Sequence, residues 1–97
     1  MAFVNDDRVL DTTTTIGTGA ATLSGTAPTG FQAFASAMAV NDYCHYCIVA
    51  GSEWEVGLGE LSGSTTLQRR QVYSSSNADA LVSFSAGSKS VYITHPG

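Results

Sequence analysis

Apolar and polar residues alternate with a period of two almost everywhere the pattern is readable, and the breaks between segments are clusters of Gly, Ser, Asn and Thr. Successive side chains of a strand point to opposite faces, so this is the punctuation of a β protein. Arg8 to Ile16 is rich in β-branched residues, and the run Thr12-Thr13-Thr14-Thr15 suits a strand with hydroxyls on an exposed face. Gly17-Thr18-Gly19 turns the chain and Ala20 to Leu23 returns it, so the first quarter reads as a hairpin ended by Ser24-Gly25. From Thr26 to Asn41 the pattern loosens. Phe31 and Phe34 share a helical spacing among frequent alanines, which predicts an irregular connection with a short strand or one helical turn. Both Phe side chains are expected to plug the edge of the core.

Tyr43 to Val49 is apolar or aromatic on both alternating faces, with Cys44, Tyr46 and Ile48 on one and Tyr43, Cys47 and Val49 on the other. Such a strand is central and covered on each side. After the turn at Ala50-Gly51-Ser52-Glu53, the residues Trp54, Val56 and Leu58 alternate with Glu55 and Gly57, which predicts that the three apolar side chains face the core. Gly57 and Gly59 imply a bulge or a close backbone neighbour. Short strands follow at Thr65 to Gln68, Gln71 to Tyr73, Leu81 to Phe84 and Ser88 to Thr94, and His95-Pro96-Gly97 closes the chain. The pattern predicts an all-β fold over residues 1–97. It is a single small antiparallel β-sandwich or partly closed barrel of about seven or eight short strands.

A length of 97 residues allows one domain, and the charged fraction of 12% is about half the globular average of roughly 25%. Twelve Ser and eleven Thr take the place of the missing charges, which excludes a helical coiled coil built on Glu and Lys. A net charge of −4, with Lys89, Arg8, Arg69 and Arg70 as the only cationic side chains, leaves no patch able to neutralise several phosphates. Nucleic acid is therefore not expected as a partner. Met1 to Leu10 lacks the apolar run of a secretory signal, and no stretch approaches the roughly 20 apolar residues of a membrane span. A domain of this size buries about 60–65% of its unfolded surface, so association with identical or different chains adds burial that folding alone lacks.

Cys44-His45-Tyr46-Cys47 is the sharpest chemical cluster, since two thiolates and an imidazole resemble half of a zinc site. The other histidine is His95, at the far end of the chain, and a period of two sends His45 away from Cys44. Buried thiols in a central strand are the expected reading, with no metal and no cofactor. Catalytic assemblies are not expected either. No serine sits in a Gly-x-Ser-x-Gly elbow, and Asp6, Asp7, Asp11, Glu53, Glu55 and Glu60 fall near the N-terminus or straddle turns and strand faces. Arg69, beside Arg70, is expected to form a salt bridge or to meet an acidic neighbouring chain. Trp54 is a partner anchor or a sugar-stacking platform in one reading, although its alternation with Val56 and Leu58 favours the core. Together with Phe31, Phe34, Tyr46 and Arg69 it completes the set of candidate interface or core anchors.

The order of these residues resembles a family of small proteins of tailed bacteriophages and prophages. The likeness runs through Asp7-Arg8-Val9, the Thr run with Gly17-Thr18-Gly19, Leu23-Ser24-Gly25, Gly30-Phe31 and Phe34. It continues through Tyr46, Ile48, Val49, Gly51 and Trp54-Glu55-Val56-Gly57-Leu58-Gly59. Thr65-Thr66-Leu67, Arg69, Ser75-Ser76-Asn77, Phe84-Ser85-Ala86-Gly87-Ser88-Lys89 and Val91-Tyr92 complete it. The resemblance implies a non-enzymatic virion structural protein, a fibre component or fibre anchor on the tail or head, acting as a homotrimer bound to other virion proteins. Such a protein is made in the host cytoplasm without a signal peptide and resides in the virion. Capsid decoration is the alternative, and a receptor module for host-surface carbohydrate is a second one. The chain departs from the family pattern at Cys44-His45, where Tyr or Thr is expected, and at Asn77-Ala78-Asp79, where Asn followed by Gly is expected.

Overall fold

A computed structural model describes residues 2–95; Pro96 and Gly97, read above as part of the chain's close, lie outside the described residues. Six strands form: β1 (Leu10–Thr13), β2 (Ala21–Thr22), β3 (Tyr43–Ala50), β4 (Glu53–Gly63), β5 (Thr66–Ser75) and β6 (Lys89–Ile93). They make one antiparallel sheet in the order β1-β6-β3-β4-β5-β2. The two edge strands approach each other at the bridge between Thr13 and Leu23, where the Ser24 N–H donates to the Thr12 carbonyl at 3.0 Å. The sheet is thereby nearly closed into a barrel. The Arg8–Leu23 hairpin of the sequence reading thus becomes the seam of the barrel, with β1 and β2 at opposite ends of the strand order.

The strand count falls below the expected seven or eight for two physical reasons. From Thr66 on, the stretches Thr65 to Gln68 and Gln71 to Tyr73 belong to one strand, β5, whose register against β4 shifts three times. Leu81 to Phe84 makes only an isolated bridge between Phe84 and Gly17. Its Val82 and Phe84 side chains drop into the core, while its backbone turns to buried side chains instead of a neighbouring strand.

Between Thr26 and Asn41 the chain makes one helical turn, α1 (Phe34–Ala37), which carries Phe34 fully into the interior. Phe31 does not join it. At 37% exposure it lies on the surface under the Arg8 guanidinium, 4.0 Å from its ring centroid, which corrects the expectation that both Phe side chains plug the core.

In β4 the predicted faces are reversed. Glu55, Gly57, Gly59 and Leu61 point inward, whereas Trp54 is 36% exposed and Val56 and Leu58 are half-buried on the outside. The cause is Tyr46, fully buried on β3 directly across from Gly57. A methyl group on Gly59 would sit 2.9 Å from the Tyr46 ring and 3.0 Å from Leu67, and one on Gly57 would sit 2.0 Å from the Gln71 carbonyl oxygen. The glycines leave the space that the tyrosine fills, and only the face bearing them can turn inward.

Candidate functional site: an uncovered sheet face on a braced barrel

Beneath the sheet, Tyr46, Glu55 and Arg69 form a buried network. The Tyr46 hydroxyl donates to Glu55 Oε2 at 2.5 Å, and the Arg69 guanidinium grips the same carboxylate in a fork, Nε to Oε2 at 2.7 Å and Nη2 to Oε1 at 2.5 Å. The Val82 N–H adds a bond to Oε1 at 2.9 Å. The remaining guanidinium donors reach the carbonyls of Gly17, Gly19 and Val82 at 3.1, 3.2 and 2.6 Å. One ion pair therefore ties β3, β4 and β5 to the first turn and to the segment before β6. Burial acts to raise the Glu55 carboxyl, but the bonds from Arg69, Tyr46 and Val82 and the Arg69 charge outweigh it and hold it below the ordinary glutamate value. Burial, then the bond to Glu55, pushes the Tyr46 phenol well above its usual range. Both carboxylate oxygens and all three guanidinium nitrogens are occupied within the chain, so the network acts as a brace.

A second buried carboxylate closes the seam. Asp11 accepts from the Ser24 hydroxyl, from the Gly25 N–H at 3.0 Å and from the Thr12 N–H at 2.6 Å. Arg70 pairs with Glu60 on the surface at 2.8 Å. The expectation of salt bridges for the Arg69-Arg70 pair thus resolves into one buried and one exposed bridge. Lys89 is buried and donates to the Gly87 carbonyl at 2.6 Å.

Above this brace the outer face of β3, β4 and β6 carries rows of apolar residues. Val49 lies across from Trp54, Cys47 from Val56 and His45 from Leu58; on the other side Cys47 is flanked by Tyr92, which pairs in turn with Leu10. His45 sits edge-on between the rings of Phe3 and Tyr73, at 4.7 and 5.4 Å. Along these rows Trp54 is exposed, Val49, His45, Val56, Leu58, Leu10 and Tyr92 are half-buried, and Cys47 is buried. Between Arg8 and Phe31 on one side and Val49 and Tyr92 on the other runs a groove of about 430 Å3.

The residues singled out from the sequence therefore separate. Phe34, Tyr46 and Arg69 belong to the interior, Trp54 and Phe31 to the exterior. The paired cysteines separate as well, because Cys44 faces the core and Cys47 the outer side. Burial pushes the Cys44 thiol up to about 12 and raises that of Cys47. Among the described residues no group of three or more His, Cys, Asp or Glu is placed to hold a metal ion. Neither the buried role of Glu55 nor the groove position of Tyr92 is among the sequence-based expectations. The signal for Glu55 was available in the alternation of a lone glutamate with two glycines, a combination that makes room for a large neighbour. No family model, curated protein or solved structure matches the chain.

Proposed function

We propose that this chain is a non-enzymatic structural protein of a bacteriophage virion, a fibre component or fibre anchor on the tail or head that works as a homotrimer. The observation that carries the reading is the uncovered outer face of β3 and β4. Tyr43 to Val49 is apolar on both sides, yet the barrel core covers only the inner one. A largely apolar outer face, with charge confined to Arg8 and the Glu60–Arg70 pair at its margins, is suited to assembly, where burial between chains adds to the stability of a small domain. Many copies on one particle then turn weak contacts into avidity. The resemblance of the residue order to small tailed-phage proteins points the same way.

Mass spectrometry of gradient-purified particles from the phage or induced prophage that encodes the chain tests this. Peptides of the chain at a fixed ratio to the major capsid or tail protein support it, and a multiple of three copies supports the trimer. Absence of the chain from infectious particles overturns it. Capsid decoration is separated from a fibre role by immunogold labelling, which marks the shell in one case and the tail or fibre bases in the other.

A further inference from the structure

We infer that the occupant of the Arg8–Phe31–Tyr92 groove is the Trp54 side chain of a second copy of this chain. The inference rests on the reading above, in which the chain self-associates, and assigns the contact that does it. A knob and a hole lie side by side on one face. Trp54 projects from β4 directly across from Val49, and Val49 is itself a wall of the groove. At about 430 Å3 the groove falls within the range of roughly 300–1,000 Å3 typical of pockets for drug-sized ligands, ample room for an indole ring. A face bearing both halves of a contact is self-complementary. The indole of each copy enters the groove of the next, head to tail, and three such contacts close the ring of the proposed trimer.

Charge does not oppose a like copy at this site. Each chain carries a net charge of −4, but no carboxylate lines the groove. Its one charged residue is Arg8. Of the four cationic side chains, Arg69 and Arg70 are ion-paired and Lys89 is buried, whereas Arg8 is exposed and has no carboxylate within salt-bridge distance among the described residues. Its guanidinium already lies over Phe31, and a guanidinium beside an incoming indole gains a further cation–π contact as water is removed. Arg8 is held for this position: its backbone is left-handed at φ 58°, its Nε donates to the Gly30 carbonyl at 3.1 Å, and its carbonyl accepts from the Gln32 N–H at 2.7 Å.

The test is light scattering of the purified chain over a dilution series, with acrylamide quenching of its single tryptophan read at each concentration. Oligomer formation accompanied by protection of Trp54 supports the contact. Trp54→Ser removes the knob and Ser90→Arg fills the hole. Each is expected to fold, by far-UV circular dichroism, and to associate about 30-fold more weakly or worse, as for the loss of an aromatic hot spot. Mixing the two variants is expected to give a one-to-one pair, because the groove of one and the indole of the other form a single contact. A wild-type oligomer in which Trp54 is quenched equally at all concentrations overturns this contact while leaving the virion reading intact. Variants that keep the wild-type mass do the same. A wild-type monomer at the highest soluble concentration also overturns it.

Discussion

Arg69→Ala strands Glu55 as a buried carboxylate with its main countercharge gone, and breaking a buried pair on one side costs about 3–5 kcal/mol. Urea unfolding of Arg69→Ala is therefore expected to show a midpoint shifted far below wild type, or no folded baseline at all. The same network sets a pH dependence. The Glu55 carboxyl is held below its ordinary value, so its contribution is fully present above that value, about 4.3, and is lost as the pH falls through the lower folded-state value. Thermal unfolding scans between neutral and acid pH are expected to show stability falling below about pH 4.3 in wild type. In Glu55→Gln this acid-induced loss is expected to be smaller. At the opposite end of the polarity scale, Ala78 sits in the left-handed region at φ 52°, in the loop where the phage resemblance leads one to expect glycine. A left-handed alanine costs about 1–2 kcal/mol, part of which glycine returns through its greater freedom in the unfolded chain. Ala78→Gly is expected to raise stability by about 0.5–1 kcal/mol, measured by the same urea unfolding. From the residues alone Arg69 is expected in a salt bridge or against an acidic neighbouring chain, with Glu55 not identified as its partner, because no periodicity argument distinguishes an outward glutamate from one inside a barrel that holds its counterion.

Strand β4 shows how far one element departs from simple patterning. Its inner face reads Glu, Gly, Gly, Leu and its outer face Trp, Val, Leu, Glu, so the bulkier apolar side chains are on the outer side. Tyr46 explains the inversion, and it supplies a test. Gly59→Ala is expected to cost about 1–3 kcal/mol by overpacking against the Tyr46 ring and Leu67, read as a lowered unfolding midpoint. Gly57→Ala is expected to be worse, since its methyl meets the backbone oxygen of Gln71 and no side chain can move aside. The positions of β3 and β6 and the irregularity at Gly57 and Gly59 are readable from the residues, and the helical turn is one of two alternatives they leave, a short strand being the other. Two features are not readable from them. The continuity of β5 was hidden because bulges interrupt the period of two within a single strand. Leu81 to Phe84 alternates like a strand but has its backbone claimed by Glu55 and Arg69, partners from distant parts of the chain that local pattern does not register.

Across the whole molecule, the nearly closed barrel and its brace make a rigid body, and the uncovered outer face is where it is incomplete. Strand order was beyond the sequence, so the choice between sandwich and barrel awaited the pairing of β1 with β6 and the seam at Thr13 and Leu23. One further feature lies at the two ends of the described chain. The Tyr43 N–H donates to the Ala2 carbonyl at 2.7 Å, the Val4 N–H donates to the Tyr43 carbonyl at 2.7 Å, and the Thr94 N–H donates to the His45 carbonyl at 3.0 Å. Both ends thus dock on neighbouring residues along the same edge of β3. A linker of about 4–6 residues is enough to join them. A circular permutant made this way and opened in the exposed Gly51-Ser52 turn is expected to keep the β-rich circular dichroism spectrum and cooperative unfolding of the parent. Its new ends emerge beside Trp54, so cargo attached there obstructs the apolar face, whereas the segments at Ala2 and Thr94 lie at the far end of β3.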